Sequence, residues 1–441
     1  MKNNIAKLCL LAAAWPAAYA ANFDAAQSGN WSDPATWGRT DPGDIPGASD
    51  TVRFSNGVVV DLTESATITS IGYLNSGETS VLNISGSGTV LTLTGNSQFW
   101  YQNRLDINIK DGAAMDASSI AWGSGGYSNI AVEDASFSGG FGELRGSTVG
   151  DGSFFTVKNS DGKTATATAT SDWNTNPNAA GSKMTFEVSG SGSSIDMGGK
   201  TFRLEATAGE AALVVSNGGV FKSYFMEVRN NANAVNRVSV FGEGSTIAGQ
   251  GNNTIQIGGN RDVALAENSS TSLTFGGFDE SGKFVAAGAS ALTSSWEVRV
   301  TQSGSVNFLI GESNLSSEIS ANLGDAIMAG KFTKTFEGTL MLDFSNVDTR
   351  FLSEGTYYVS LISSTESLLK GLSGDATFED WLSVLQTKDG DGVNFERIFL
   401  SGDNKILYAE VSVVPEPSAF AAAFGLLAFV FAVWRRRPAG N

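Results

Sequence analysis

Histidine is missing from this 441-residue chain, and its one cysteine, Cys9, lies near the N-terminus. Zinc, copper and non-haem iron sites normally draw on histidine or cysteine ligands, and hydrolase triads use a histidine base, so catalysis of these kinds is close to excluded. Beyond Cys9 the chain can form neither a disulfide bond nor a reactive thiolate.

Basic residues are scarce, with 28 Lys and Arg against 45 Asp and Glu. Five of the basic residues lie in the terminal segments, which leaves 23 for the rest of the chain. A negative field of this size repels phosphate backbones and anionic lipid, so nucleic-acid binding is not expected. It favours solubility and leaves room for divalent cations.

Proline is also rare, with 8 residues against 52 glycines. The chain is 41% hydrophobic and contains 27 phenylalanines, which is too apolar for a disordered Gly/Ser linker. From Asn22 to about Leu323, helical periodicity is nearly absent, and short apolar-alternating segments are separated by Gly, Ser and Asn. The pattern predicts an all-β protein.

The N-terminus has the layout of a secretory signal. Lys2 and Lys7 precede the apolar run Leu8–Ala14, and the small residues Ala18 and Ala20 follow it. This order predicts cleavage by signal peptidase after Ala20, following export by the Sec machinery. A buried N-terminal helix is the alternative.

The C-terminus combines a proline-flanked motif with an uncharged apolar run, residues 419–434, and a basic cluster. Sixteen helical residues span roughly 24 Å at 1.5 Å per residue, slightly less than the roughly 30 Å hydrocarbon core. The arginines would hold their end in the cytoplasm, so the rest of the chain would face outward. The motif and the cluster are Pro415, Glu416 and Pro417, and Arg435, Arg436 and Arg437.

This tail resembles the PEP-CTERM sorting signal of Gram-negative bacteria. The resemblance implies recognition by an exosortase, removal of the tail, and release or attachment at the cell surface, commonly in species that make exopolysaccharide. It covers the last 28 residues and implies nothing about the activity of the remainder. A plain single-pass anchor is the alternative.

One sequence motif, or phrase, recurs along the middle of the chain: a short apolar strand followed by a Ser/Gly turn. It occurs at Val81–Ile84, and its last three copies begin their turns at Ser189, Ser216 and Phe241, in steps of 27 and 25 residues. Such steps are typical of solenoid coils, which bury a continuous core only when they stack. Glycine suits the stacked turns because it accepts positive φ.

These phrases resemble the repeats of bacterial autotransporter passengers and of PEP-CTERM-associated repeat proteins. The resemblance implies a right-handed parallel β-helix. A multi-sheet β-sandwich would also alternate strand and turn, and it remains the alternative fold.

The composition divides the chain into five parts. After the signal at 1–20, residues 21–79 form an N-terminal cap with the first strands, in which Trp31 and Trp37 cover the end of the first coil. Carbohydrate stacking is the functional alternative for these two tryptophans. Solenoid repeats follow at 80–324, a C-terminal β-rich capping subdomain at 325–413, and the sorting signal at 414–441. Within the subdomain we expect strands at 331–344, 356–362 and 405–413 and a short helix at 378–386.

Oxygen-bearing side chains cluster between the predicted helix and the last strand. They suit calcium, although Val393 stands where a further ligand of an EF-hand would lie. A solvated hairpin turn is the simpler interpretation, and we expect no other cofactor. The weak calcium candidates are Asp389, Asp391, Asn394 and Glu396.

Charged residues recur in the repeats as Arg203, Glu205, Glu227, Arg229 and Glu243. Alternation places Arg203 with Glu205 on one face of one strand, and Glu227 with Arg229 on one face of another. Ion-pair ladders explain them. The alternative is the paired acids of a polysaccharide lyase or glycoside hydrolase on a β-helix.

The run from Thr164 to Thr170 aligns four threonines on one face of a strand. Ice-binding surfaces use this geometry in rows stacked over several coils. The sequence contains one such row, so we interpret it as exposed threonine on a single strand.

Together these patterns predict a non-enzymatic, exported protein. It would be anchored transiently in the inner membrane and then occupy the cell surface or extracellular matrix in a structural or adhesive role. Its partners would be signal peptidase, the Sec machinery and an exosortase, with exopolysaccharide or host glycans as further ligands. A carbohydrate-active enzyme and a glycan-binding adhesin are the alternative functions.

Overall fold

The structure is a computed structural model. It describes residues 20–414, apart from 55–56, 73–76, 100–103, 123–126, 149–151, 232, 260–268, 302, 320–324, 335–337, 372–373 and 376, and it also describes residues 428–429.

Two large sheets built mainly from parallel strands account for most of the described chain. Sheet 1 contains thirteen described strands, and each pairs in parallel with the next. Apolar residues alternate along these strands, so one face of the sheet is buried. The strands are Gly29–Asn30, Val59–Leu62, Ser80–Ser85, Arg104–Lys110, Tyr127–Glu133, Ser153–Lys158, Lys183–Ser189, Glu210–Ser216, Val235–Phe241, Ser270–Phe275, Ser305–Leu309, Thr339–Asp343 and Leu385–Lys388.

From Val59 onward, the chain forms one or two strands of sheet 2 between consecutive strands of sheet 1. The pairings in sheet 2 are parallel until its last strands, which pair antiparallel. Its strands are Ala66–Ile68, Val90–Phe99, Ala114–Trp122, Ser136–Leu144, Ala165–Ala169, Trp173–Asn174, Ser193–Asp196, Thr201–Leu204, Val220–Ser223, Phe225–Val228, Thr246–Gly249, Thr254–Ile257, Leu292–Val300, Ile327–Lys334, Gly355–Ser364, Val393–Leu400 and Ile406–Val413.

The remaining described elements are short. A three-stranded parallel sheet joins Asn22–Asp24, Thr51–Arg53 and Ser70–Gly72. Two hairpins join Gly277–Phe278 to Phe284–Val285 and Lys370–Gly371 to Gly374–Asp375. The helical turns are the 3₁₀ segments Pro34–Trp37, Glu312–Asn314 and Thr349–Phe351 and the α-helix Phe378–Leu382.

The predicted repeat steps match the register of sheet 1. Ser189 pairs with Ser216, and Ser216 pairs with Phe241, so the three turn positions stand directly beside one another. Between two consecutive strands of sheet 1 the chain forms strands of sheet 2, for example Ser193–Asp196 and Thr201–Leu204. The chain is therefore all-β, and its repeats pair residue for residue.

The core lies between the buried faces of the two sheets. Phe141, Phe155, Trp173 and Phe186 are at most 1% exposed and pack ring against ring. The centroids of Phe141 and Trp173 are 4.6 Å apart, and those of Trp173 and Phe186 are 5.8 Å apart. Aromatic rings of consecutive strands thus fill this middle part of the interior.

The turns after the sheet 1 strands require glycine for two reasons. Gly218 has φ +85°, a conformation that side chains disfavour. A Cβ atom on the neighbouring Gly219 would lie 2.5 Å from the carbonyl oxygen of Val188 in the preceding repeat. Stacked turns therefore leave no space for a side chain at this point.

Aromatic packing closes the N-terminal end of the stack. Trp31 and Trp37 are 4% and 3% exposed, and their rings meet edge to face at 5.0 Å. The Trp37 Nε1 donates a hydrogen bond to the Trp31 carbonyl oxygen at 2.8 Å. Phe23 and Phe54 pack against the ring of Trp37. The tryptophans cover the core, and their burial leaves no ring face for stacking on a carbohydrate.

At the C-terminal end of the stack, the strand pairing changes from parallel to antiparallel. Ile406–Val413 pairs antiparallel with both Gly355–Ser364 and Val393–Leu400. Its residues Leu407, Ala409 and Val411 are fully buried. The parallel pairing of sheet 2 therefore ends at these antiparallel strands.

The parallel sheets cross both predicted domain boundaries. Val59–Leu62 pairs with Ser80–Ser85 across residue 79, and Leu292–Val300 pairs with Ile327–Lys334 across residue 324. Sheet 1 continues to Leu385–Lys388. The stack thus extends into both segments that the sequence assigned to caps.

Two element predictions were wrong in length. The segment 331–344 forms two strands, Ile327–Lys334 and Thr339–Asp343, because they belong to different sheets. The helix at 378–386 ends at Leu382, since Leu385–Lys388 extends sheet 1 instead. The strands predicted at 356–362 and 405–413 correspond to Gly355–Ser364 and Ile406–Val413.

None of the helices in the described part of the chain is long and apolar enough to span a membrane. Of the predicted C-terminal apolar segment, only residues 428 and 429 are described.

Candidate functional site

The outward face of sheet 2 contains two of the charged residues that the sequence singled out, Arg203 and Glu227, and two more, Glu205 and Arg229, follow directly after their strands. Arg203 lies on Thr201–Leu204, between the fully buried Phe202 and Leu204, and it pairs in register with Glu227 of the next strand. Alternation turns Arg203 and Glu227 away from the core. The parallel register brings the two side chains together from positions 24 residues apart.

Four of these residues form one ion-pair ladder, which we define as Arg203, Glu205, Glu227 and Arg229. The Glu227 Oε2 lies 3.1 Å from the Arg203 Nε and 3.0 Å from the Arg229 Nε. The Arg229 guanidinium also contacts the Glu205 Oε2 at 3.0 Å. Every charge in the ladder faces an opposite charge, so the predicted ladder is present.

Amide side chains extend the ladder at its ends. The Asn174 Oδ1 accepts a hydrogen bond from Arg203 at 3.0 Å, and the Asn231 Nδ2 donates to Glu205 at 3.1 Å. Each carboxylate of the ladder therefore has two partners, Arg229 and Asn231 for Glu205 and the two arginines for Glu227. The fifth charged candidate, Glu243, lies in an exposed turn outside the ladder.

A second charged group, which the sequence did not single out, centres on Glu297. This residue is 4% exposed, and its carboxylate contacts Arg299 at 2.5 Å and Thr333 at 2.6 Å. Thr254 donates to it at 3.2 Å, and the Lys331 Nζ lies 3.9 Å away. Its partners come from three strands of sheet 2, so no local sequence pattern could identify the group.

The surroundings of Glu297 keep it ionised. Burial by itself would raise the pKa of this carboxyl group. The hydrogen bonds from Thr333 and Arg299, with the positive charges of Arg299 and Lys331, outweigh burial and lower its pKa. A carboxylate with a lowered pKa is a poor proton donor at neutral pH. Its role is to hold neighbouring strands together.

A hairpin between the strands Ser270–Phe275 and Leu292–Val300 projects over sheet 1 and forms a cleft of about 640 Å³. The Lys158 Nζ lies 3.0 Å from the Glu187 carboxylate and 3.6 Å from that of Glu280, which belongs to the hairpin. Both acids thus share one cation, which also ties the hairpin to the sheet.

Of the weak calcium candidates, Asp389 and Asp391 lie in the turn before the strand Val393–Leu400, and Asn394 and Glu396 lie on that strand. The Asp389 Oδ1 accepts a hydrogen bond from the Phe395 amide at 2.9 Å, and the Glu396 Oε1 accepts one from Ser412 at 2.6 Å. Asp391 and Asn394 are exposed. In the described part of the chain, no three Asp, Glu, His or Cys side chains form a group suited to a metal ion.

The threonine run forms the short strand Ala165–Ala169. Its three alanines are buried, and only Thr166 and Thr168 lie on the outward face within the strand. Thr168 pairs in register with Asp196 on one side. On its other side Thr168 pairs with Ser138, and Thr166 pairs with Ser136 and Ser194, so neither neighbouring strand places a threonine beside these two.

The N-terminal cap encloses a cavity of about 310 Å³ between Trp31, Ile45 and Glu64. The buried Trp31 Nε1 has no hydrogen-bond partner among the described residues. An ordered water in the cavity would satisfy this donor.

A shallow groove, the bend groove, runs across four strands of sheet 2 where the sheet bends. It has a volume of about 610 Å³ and is lined by hydroxyls and glycines together with Ala329 and the exposed Met328; the former include Gly249, Thr293, Ser294, Gly330, Ser364 and Thr365. The register shift between Ser294 and Glu297 marks the bend. Because such a shift depends on the neighbouring strand, sequence alternation does not reveal it.

The terminal motifs lie outside the described residues, apart from the exposed Ala20. These are Ala18 of the signal, Pro415, Glu416 and Pro417 of the sorting motif, and Arg435, Arg436 and Arg437 of the basic cluster.

Comparison with known proteins gives no relative. No family model, no curated protein and no solved structure matches the chain.

Proposed function

We propose that this protein is exported through its N-terminal signal and sorted by an exosortase through its C-terminal motif. At the cell surface or in the extracellular matrix it serves as a structural and adhesive element. Its body is a right-handed parallel β-helix, with the chain winding through sheet 1 and sheet 2 once per coil. Signal peptidase, the Sec machinery and the exosortase are its processing partners.

One observation supports the β-helix above all: the unbroken parallel register of sheet 1 from Gly29 to Lys388. A β-sandwich pairs its strands mainly antiparallel, whereas each strand here pairs in parallel with the strand one repeat away. Such a body is a long, stiff rod with two extended faces. This shape suits a spacer or adhesive element.

The ion-pair ladder favours a scaffold over an enzyme. Hydrolysis of a glycosidic bond needs two carboxylates with different roles, one of them protonated. Glu205 and Glu227 instead share Arg229, and Glu297 has a lowered pKa. Reproducible cleavage of a glycan by the purified protein would replace the scaffold with a carbohydrate-active enzyme.

The coil register can be tested by disulfide cross-linking, because the chain has a single natural cysteine in its signal. Ser189 and Ser216 pair in register, and their hydroxyl oxygens lie 3.0 Å apart. The double variant Ser189→Cys with Ser216→Cys should form an intramolecular disulfide on oxidation. The control pair Ser189→Cys with Ser239→Cys should not. Equal cross-linking of both pairs would exclude the proposed coil.

Sorting is tested by fractionating the native organism and determining both termini by mass spectrometry. The wild-type protein should begin at Ala21 and lack residues beyond the Pro415–Pro417 motif. A variant with Glu416→Ala should keep its tail and accumulate in the inner membrane. Recovery of the full-length, unprocessed wild-type chain from the cytosol would overturn the proposal.

A further inference from the structure

Two exposed aromatic residues lie beside the bend groove. Trp296 follows the groove residue Ser295 directly and is 51% exposed. Tyr224 is 41% exposed, and its ring packs against Gly251. The carbonyl oxygen of Gly251 accepts a hydrogen bond from Ser295 at 3.0 Å, which connects the two aromatic positions. We call Tyr224, Gly251, Trp296 and Gly330 the aromatic strip.

Along the strip, an aromatic residue in one coil is followed by a glycine in the next. Tyr224 and Trp296 lie two strands apart, with the coil of Gly251 between them. At about 4.8 Å per parallel strand, the two aromatic positions are separated by roughly 10 Å along the stack. An extended polysaccharide lying along this axis would present every second sugar ring to an aromatic side chain.

The glycines keep the strip open. A Cβ atom on Gly251 would lie 2.9 Å from the Tyr224 ring, and one on Gly330 would lie 2.4 Å from the Ser295 carbonyl oxygen. Side chains at these positions would displace the aromatic ring or the strand. These close approaches of backbone to ring and of strand to strand therefore depend on glycine at both positions.

The lining selects an uncharged, hydroxyl-rich ligand. None of the described residues that line the bend groove is charged, so the groove itself offers no ion pair. Sugar hydroxyls can bond with Thr293, Ser295 and Thr365, while their C–H faces pack on exposed aromatic rings. The net charge of −17 disfavours anionic polysaccharides. An added peptide strand would need a free sheet edge, whereas this groove crosses paired strands.

From these observations we infer that the bend groove and the aromatic strip form a binding site for a neutral polysaccharide chain, aligned with the stacking axis. The inference rests on the adhesive role proposed above and specifies the surface and the chemical class of its ligand. Single exposed aromatics are common on protein surfaces. The combination of two aromatics at a two-coil spacing with an uncharged hydroxyl groove carries the assignment.

The site is tested with the full-length protein by affinity electrophoresis in gels containing dextran, laminarin, xylan or galactomannan, with alginate as the anionic probe. We expect retardation by at least one neutral polysaccharide, none by alginate, and no weakening with added salt. The variant Trp296→Ala should lower the apparent affinity about tenfold. Trp296→Tyr should retain most of it, and Tyr224→Ala should have a smaller effect in the same direction.

Phe351→Ala provides the matched control, because Phe351 is 76% exposed and does not line the groove. It should bind like the wild type. Thermal unfolding of Trp296→Ala should match that of the control, so that loss of binding is not loss of fold. Absence of binding to all four neutral probes, or equal binding by Trp296→Ala, would overturn the inference. Neither result would bear on the proposal that the protein is sorted to the surface, because fractionation tests that proposal independently.

Discussion

Two columns of outward side chains, one on each sheet, satisfy the same stacking requirement with different chemistry. On sheet 1, Asp61, Asn83 and Asn108 stand in one column, and each asparagine donates to the side chain before it, at 2.8 Å and 2.9 Å. On sheet 2 the corresponding contacts are ion pairs between Arg203, Glu227 and Arg229.

The difference follows from parallel register, which places each side chain beside its counterpart one coil away. Identical amides can stack because each one has both a donor and an acceptor. Identical charges would repel, so a charged column needs alternating sign. The amide column is therefore suited to repetition of one residue, whereas the charged column depends on a specific partner in the next coil.

The largest effect on the free energy of unfolding is expected for substitution of Glu297 on sheet 2. Glu297→Ala would leave Arg299 and Lys331 without their buried counter-charge and Thr333 without its acceptor. We expect the free energy of unfolding to fall by about 3 kcal/mol, measured by urea denaturation. Glu280→Ala is the control, because Glu280 is largely exposed and should change stability by less than about 0.5 kcal/mol. Equal effects would show that the Glu297 group is not stabilising.

The same residue predicts a pH dependence. Because the folded pKa of Glu297 is lowered below its ordinary value of 4.5, its contribution is fully present above that value. It is lost as the pH falls further, through the folded pKa. The free energy of unfolding of Glu297→Gln should lie below that of the wild type at neutral pH, and the difference should shrink below about pH 4.5. Urea denaturation at several acid pH values measures this difference. A deficit that stayed constant down to the acid limit would contradict the assignment.

A smaller effect is expected for the half-exposed ladder. Arg229→Ala removes one partner each from Glu205 and Glu227, yet Arg203 still neutralises Glu227. We expect a loss of about 1 kcal/mol at low salt, shrinking at about 1 M sodium chloride, where screening weakens exposed pairs. Urea denaturation at both salt concentrations measures this. A loss that did not depend on salt would assign the effect to packing of the arginine stem.

The amide column should respond to substitution without responding to salt. Asn83→Ala removes the donor to Asp61 and the acceptor for Asn108. The expected loss is about 1 kcal/mol at either salt concentration, since each net hydrogen bond contributes on the order of 0.5–1.5 kcal/mol. Asn83→Asp would place a second carboxylate beside Asp61. At low salt it should lower the free energy of unfolding more than Asn83→Ala does. The opposite order of the two variants would contradict the amide-ladder interpretation.

The sequence predicted the repeat register because the Ser/Gly turns recur in regular steps, and Ser189, Ser216 and Phe241 do pair. It also predicted the burial of Trp31 and Trp37. It missed the Glu297 group and the bend groove, since both depend on the register shift between Ser294 and Glu297. That shift is set by pairing with two shorter strands, Thr246–Gly249 and Thr254–Ile257, which alternation within one strand cannot show.

The smallest expected effect has the opposite sign and lies on sheet 1. Burial raises the pKa of Asp106, and the hydrogen bond from Asn129 at 2.9 Å only partly counteracts this. The folded state therefore binds more protons than the unfolded state above the ordinary value of 3.8, and stability falls as the pH rises through the folded pKa. Asp106→Asn keeps an acceptor for Asn129 and removes the charge. It should raise the free energy of unfolding at neutral pH by about 0.5 kcal/mol, and the gain should vanish below pH 3.8. Glu297→Gln should destabilise the protein at neutral pH under the same conditions. Opposite outcomes for the two neutralising substitutions would show that a half-buried carboxylate bonded to an amide costs stability, whereas a buried one paired with Arg299 contributes it. Destabilisation by both variants would remove this distinction between the two carboxylates.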